Sequence, residues 1–301
     1  MGKNYQPKTL EERKQQMNEI LENLENGVRN VFTSENYVRY LDTFSKFHSY
    51  SFSNIILILH QCPQASYVAS FKDWTTKFNR IVKKGEHGIK ILVPTPKKVT
   101  TEKEVTNPDG TTSIEEVERK HLYFKTGYVF DISQTMGDEL PTLVKSLKYE
   151  SQELNVMLDK LFATSEVPID YDYSLAENDA NGYYNILSQQ IFLKPTLSTL
   201  HKLKTVVHEY SHYLQETIHT VHTQELDRAT KEVIAESCAY CVLSMLKNEF
   251  NIEKLDSSEY SFGYVASWGS RDLKELKSTL TLISEISNQI FNWISKQVVV
   301  S

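Results

Sequence analysis

The sequence predicts an α+β protein: a mainly helical N-terminal domain with a small antiparallel sheet, followed by a second domain built around paired helices. Three observations carry this reading. Apolar residues recur at helical spacing in both halves, the period turns strand-like between residues 89 and 130, and Gly137 and Pro141 punctuate the passage between the halves. The domains are therefore expected at 1–135 and 136–301. With 301 residues, of which 40% are hydrophobic and 24% charged, the chain can bury a sizeable core.

The elements follow in order. Leu10 to Asn30 reads as an amphipathic helix with Met17, Ile20, Leu21 and Leu24 on one face. Helices over Tyr37 to Phe47 and Asn54 to His60 come next, the latter ended by Pro63. Ile89-Lys90-Ile91-Leu92-Val93, after Gly85 and Gly88, reads as a strand, and Leu122 to Phe130 as its return. Thr101 to Lys120, between them, reads as a polar insert holding the turn signal Asn107-Pro108-Asp109-Gly110. In the second half, Tyr183 to Phe192 reads as a hairpin. His201 to Thr217, free of Pro and Gly, reads as a helix, and another runs from Lys231 through Val233, Ile234, Cys238, Val242, Met245 and Leu246. There is no internal repeat.

The chemistry concentrates in Val206-Val207-His208-Glu209-Tyr210-Ser211-His212-Tyr213-Leu214. Positions i and i+4 share a helix face, so His208 and His212 can grip one metal ion, and Glu209 beside them suits proton transfer from water. This reads as a zinc hydrolase site. A catalytic zinc takes three protein ligands and leaves a position open; Glu232 is the expected third. Nineteen residues separate it from His212, enough for one helix to end and another to pack alongside. Glu236, one turn further, suits a hydrogen bond to the far nitrogen of a ligand histidine, and the two glutamates could exchange roles. His219 and His222 read as loop histidines, because Gln215 stands where the longer three-histidine motif needs Gly. Cys238 and Cys241 read as small buried helix residues, Cys62 being the sole other thiol. Tyr183 or Tyr184 is a candidate to steady an oxyanion, against the simpler reading of hairpin packing.

Composition bounds the setting. Three cysteines give no disulfide framework, the N-terminus lacks the apolar core of a signal peptide, and the longest apolar run, Ile55 to Leu59, is far too short to cross a bilayer. A soluble, cytoplasmic protein with no membrane partner is expected. The net charge of −6 hides an asymmetry: residues 1–135 carry 19 basic against 16 acidic residues, and the remainder 14 against 23. From Lys72 to Lys98 there are eight basic residues and two acidic ones, preceded and joined by many aromatics. Basic grooves with aromatic platforms hold single-stranded nucleic acid. The candidate contacts are Lys72, Trp74, Lys77, Arg80, Lys83, Lys84 and Lys90, with core packing as the alternative for the aromatics.

Together these features make the chain similar to the ArdC-type antirestriction proteins of conjugative plasmids and mobile elements. The resemblance rests on Ser51-Phe52-Ser53-Asn54, Phe71-Lys72-Asp73-Trp74, Arg80 to Glu86, and Val129-Phe130-Asp131-Ile132-Ser133-Gln134-Thr135 in the first half. In the second it rests on His208, Glu209 and His212, on Glu232 to Glu236, and on Tyr264-Val265-Ala266-Ser267-Trp268. It implies a single-stranded-DNA-binding domain joined to a zincin-like metallopeptidase domain, with Zn2+ as cofactor and an unidentified protein or peptide as substrate. Two departures stand out: Asn79 replaces a Gly, and Tyr213-Leu214-Gln215 replaces a Trp-containing run after the second histidine. The resemblance leaves two functions open. One is an antirestriction-type protein of a mobile element that binds single-stranded DNA and carries a zinc-dependent peptidase site. The other is a non-catalytic protein that shields single-stranded DNA, its metal site structural or vestigial. Glu209 beside the ligands favours the first, because a purely structural metal needs no carboxylate there.

Overall fold

A computed structural model of the chain describes residues 9–32, 34–106, 112–140, 151–177, 179–250 and 271–298. The fold is α+β, as the sequence predicts. It divides into two compact units, one of Met1–Asn23 with Gln61–Gly137, the other of Leu24–His60 with Asp138–Ser301. Residues 24–60 thus group with the C-terminal half in this division.

The elements of the N-terminal half begin with helices α1 (Leu10–Val31), α2 (Ser34–Lys46) and α3 (Phe52–Gln61). Strand β1 (Val68–Ser70) leads into the short helix α4 (Phe71–Thr76), whose first turn is capped by Ser70 Oγ accepting from Asp73 N at 3.1 Å. Strands β2 (Arg80–Val82), β3 (Ile89–Thr106) and β4 (Thr112–Asp131) follow, then a 3-10 turn at Ile132–Gln134 and β5 (Thr135–Gly137). One antiparallel sheet has the order β1-β4-β3, and β2 pairs with β5. The stretch from Thr101 to Lys120 is not a loop insert. Pairing continues to Thr106↔Thr112, so period-2 pairing extends through this polar segment and the turn signal joins two long strands. The turn residues 107–110 themselves lie outside the described residues.

Asp131 is the polar anchor of this unit. Its buried carboxylate accepts from Ser66 N at 2.8 Å, Tyr67 N at 3.2 Å, Ser133 N at 2.9 Å and Ser133 Oγ at 2.6 Å. Gln134 completes the reciprocal cap by accepting from Asp131 N at 2.9 Å. Asn79 has φ of 51°, the left-handed region where Asn substitutes best for Gly. Opposite it, Gly137 has φ of 139°, and a Cβ there would meet Asn79 O at 2.6 Å, so the β2–β5 pair requires glycine.

The C-terminal half contributes helix α5 (Ser151–Thr164), strand β6 (Ile169–Tyr171), a 3-10 turn at Tyr173–Glu177, and strands β7 (Gly182–Asn185) and β8 (Gln190–Leu193). Helices α6 (Thr199–Thr217), α7 (Thr220–Thr223), α8 (Arg228–Phe250) and α9 (Leu273–Val298) complete it. The sheet order is β6-β8-β7, with β6 parallel and β7 antiparallel to β8, so β7 is an edge. Helix α8 is apolar almost all round and lies against α2, α6 and α9, as expected of a helix at the centre of a core. Its polar groups are matched: Ser237 Oγ and Tyr37 Oη lie 2.7 Å apart, and Tyr240 Oη donates to Asp42. Cys238 and Cys241 are free and buried, and burial pushes the Cys238 thiol up to about 12, so they are core residues as expected.

Candidate metal centre

The site is built on α6, which Ser198 starts by accepting from His201 N at 3.3 Å. One face of α6 packs on the core through Leu203, Val206, Val207, Tyr210 and Leu214. The adjoining face carries His208 and His212, one turn apart, with their Nε2 atoms 3.2 Å from each other. Glu232 reaches across from the first turns of α8. Its Oε2 lies 3.4 Å from His208 Nε2 and 3.5 Å from His212 Nε2. Three ligand atoms of the types a divalent ion takes therefore face one point, and these residues can hold such an ion.

A further shell fixes the first histidine. Glu236 Oε2 lies 3.2 Å from His208 Nδ1, which leaves Nε2 turned to the shared point. Glu236 Oε1 is in turn 3.5 Å from Lys204 Nζ, one helical turn before His208. Burial pulls the His208 imidazole down, but the hydrogen bonds to Glu232 and Glu236 outweigh it and raise the group to about 9. The same contacts with His208 and His212 hold the Glu232 carboxyl far below the ordinary range.

Glu209 is buried and faces the same cleft. Its Oε2 accepts from the main-chain N–H of Tyr184, on the edge strand β7, at 2.9 Å. Burial raises its carboxyl, only partly offset by His208 and His212. The cleft measures about 800 Å³ and is walled by Gly182, Tyr184, Ile186, Leu226 and Arg228. Tyr183 also lines the cleft; its hydroxyl donates to Asp172 Oδ2 at 3.0 Å and its ring stacks on Phe192. Sequence reading reaches neither Lys204 nor the Tyr184 amide. Lys204 had only its i−4 spacing from His208 as a signal, and nothing local ties residue 184 to 209.

The expected DNA contacts all fall in the smaller unit, and most are already engaged. Trp74 is a correction. It is fully buried, its Nε1 donates to Phe130 O at 2.9 Å, and rings of Tyr67 and Phe78 pack around it, so it offers no face to a base. Arg80 Nε donates to Thr135 Oγ1 at 2.8 Å, Lys83 Nζ to Ser133 O at 2.8 Å, and Lys90 Nζ pairs with Glu19 at 3.3 Å. Lys77 pairs with Asp73 at 2.8 Å. Lys72 and Lys84 are exposed. The segment Tyr264 to Trp268 lies outside the described residues.

Residues 11–130 match the family model of the N-terminal domain of anti-restriction factor ArdC. The Mn(II)-bound crystal structure of the antirestriction protein ArdC from plasmid R388 aligns with a TM-score of 0.52 at 18% identity, over 92% of this chain and 98% of that one. Its metal-free structure aligns with a TM-score of 0.49 at 21% identity, over 82% and 84%. At these identities the likeness to the Mn(II)-bound structure is one of fold. An uncharacterized protein of Bacillus anthracis, pXO2-81, is 25% identical over 98% of this chain and 54% of its own length, so the chain spans about half of that relative. No helix among the described residues is long and apolar enough to cross a membrane.

Proposed function

We propose that this ArdC-type antirestriction protein binds single-stranded DNA through its N-terminal domain and hydrolyses a peptide bond at a zinc ion held by His208, His212 and Glu232. The convergence of those three ligand atoms beside a buried Glu209 carries the proposal. Ligands of a tetrahedral ion at the zinc–nitrogen distance stand about 3.3–3.4 Å apart; the three separations here are 3.2, 3.4 and 3.5 Å. The Mn(II)-bound relative supports a divalent ion at this fold.

A bound zinc supplies Lewis acidity for a scissile carbonyl and makes water nucleophilic near neutral pH. The chain's own residues do the rest. Glu209, with its pKa raised by burial, takes the proton from water and passes it to the leaving amine. Tyr184 N–H holds the Glu209 carboxylate at the cleft, Glu236 orients His208, and Lys204 orients Glu236. The edge strand β7 offers an extended peptide main-chain pairing along the cleft. In the N-terminal domain, the match to ArdC and the basic stretch from Lys72 to Lys98 support single-stranded DNA as partner.

Metal analysis paired with a peptidase screen of the wild type and Glu209→Gln tests this. The variant should keep stoichiometric metal and lose hydrolysis by about two to four orders of magnitude. A fully active Glu209→Gln protein would refute the mechanism, and a wild type that holds metal but cleaves nothing would leave the DNA-shielding alternative.

A further inference from the structure

Beyond the three residue pairs that β1 makes with the end of β4, the β3–β4 ribbon has only two strands among the described residues. Just outward of that point, three consecutive large apolar side chains stand open: Leu122 is 58% exposed, Tyr123 52% and Phe124 50%. Alternation puts Leu122 and Phe124 on one face, Tyr123 and Lys125 on the other. A two-stranded ribbon that packs on no further strand among the described residues gains nothing from such side chains. A polar chain would suit it better.

The surroundings say what covers them. Residues 89–100 and 121–130 hold four lysines, Lys90, Lys97, Lys98 and Lys125, and no Asp or Glu, in a chain of net charge −6. Lys97 and Lys125 are exposed on the same stretch, Lys97 opposite His121 and Lys125 opposite Val93. His121 and Tyr123 place their rings 6.3 Å apart. Edge pairing with another strand is discouraged, because Pro94 and Pro96 sit on β3, the outer strand of its sheet, opposite Phe124 and Leu122. Aromatic rings flanked by cations fit a polyanion with stackable faces.

We infer that the face of the β3–β4 ribbon bearing Tyr123 is the surface on which single-stranded DNA lies, with Tyr123 stacking on a base and Lys97 and Lys125, on the same face, meeting phosphates. The inference rests on the single-stranded DNA reading above and places the contact away from the Lys72–Lys84 segment. In the full-length protein, anisotropy of a labelled oligothymidylate should show Tyr123→Ala weakening binding roughly five-fold or more, while Phe124→Ala, on the opposite face, stays within about two-fold of the wild type. The slope of log affinity against log salt should be unchanged in Tyr123→Ala. Tyr123→Leu should weaken binding as Ala does and Tyr123→Trp should retain it, since stacking needs a ring and apolar packing does not. Lys97→Gln and Lys125→Gln should each lower the salt slope by about 0.7. The inference is overturned if the wild type binds while Tyr123→Ala stays within about two-fold of it, or if Tyr123→Leu binds at full strength. It is also overturned if Tyr123→Ala dissolves a dimer on gel filtration and leaves DNA affinity intact, which would make the ribbon a contact between copies. A wild type that fails to bind at low salt removes the DNA reading itself.

Discussion

Removing Glu232 and removing Glu236 should have unequal effects on metal binding if the ion is held as proposed. Glu232 Oε2 sits 3.4 and 3.5 Å from the two histidine Nε2 atoms, where a third ligand would stand. Glu236 touches only the far side of one imidazole, at 3.2 Å from His208 Nδ1. Loss of such an outer partner costs about 10–100-fold in metal affinity, and loss of a ligand should exceed that. The consequence is readable as thermal stability. Free ion at one hundred times the wild-type dissociation constant stabilises the folded wild type by about 2.7 kcal/mol. If Glu236→Gln weakens binding about thirty-fold, the same ion concentration gives it about 0.9 kcal/mol, and a Glu232→Ala protein weakened beyond a hundred-fold keeps at most about 0.4 kcal/mol. At about 2–4 °C per kcal/mol for a unit of this size, zinc should raise Tm by roughly 5–11 °C, 2–4 °C and under 2 °C respectively. Differential scanning calorimetry with and without zinc, alongside competition with a chromophoric chelator, measures both quantities. A larger loss for Glu236→Gln than for Glu232→Ala would exchange their roles, and a wild-type shift in His208→Ala would refute the site.

The remaining predictions concern the supports. Asp131→Ala strands the amides of Ser66, Tyr67 and Ser133, and should cost about 3–5 kcal/mol in urea denaturation. Burial raises the Asp131 carboxyl, but its hydrogen bonds from Ser133, Ser66 and Tyr67 outweigh that and hold it below the ordinary carboxylate range. Its stabilisation is therefore present above the unfolded value near 4 and lost as pH falls through the lower folded one. The difference between wild type and variant should accordingly shrink on acidification, and a constant difference would contradict the assignment. Lys204→Met should weaken zinc binding less than Glu236→Gln does, with Lys204→Arg restoring it. A fragment of residues 1–135 should fold poorly and bind hydrophobic dye, because Tyr37 and Asp42 lose their partners Ser237 and Tyr240. A cooperative melt of that fragment at the full-length temperature would show that α2 and α3 do not need α8.

Periodicity made most of the fold legible. The helices over residues 10–30, 37–47, 54–60 and 201–217 are found where apolar spacing places them, because each has an unbroken apolar face and a stop signal nearby. Helix α4 was invisible. Its six residues are too few to show a period, and it exists through the Ser70 cap and the burial of Trp74. The pairing of residues 101–106 with 112–120 is not legible as strand in the sequence because mixed charges carry no apolar alternation there. Which unit claims α2 depends on Tyr37 and Tyr40 burying against residues two hundred positions away, a relation no local window contains.

The site divides along the same physical line. A motif whose members share one helix face is a local object, so His208, Glu209 and His212 needed no tertiary information, and Glu232 needed only two adjacent antiparallel helices. The proposed DNA surface is the opposite case. A run of basic residues measures charge along the chain, yet Arg80, Lys83 and Lys90 are drawn into hydrogen bonds and an ion pair that build the small unit. Trp74, the most conspicuous aromatic there, has its hydrophobicity spent on the core. What remains open is decided by where a third strand stops. Since β1 ends opposite Val129, the rings at 123 and 124 stay uncovered although they belong to the same strand as the buried Val129. Exposure of an apolar ring is thus a property of topology, and only after the sheet is drawn does the lysine-flanked ribbon separate from the lysines that merely hold the fold.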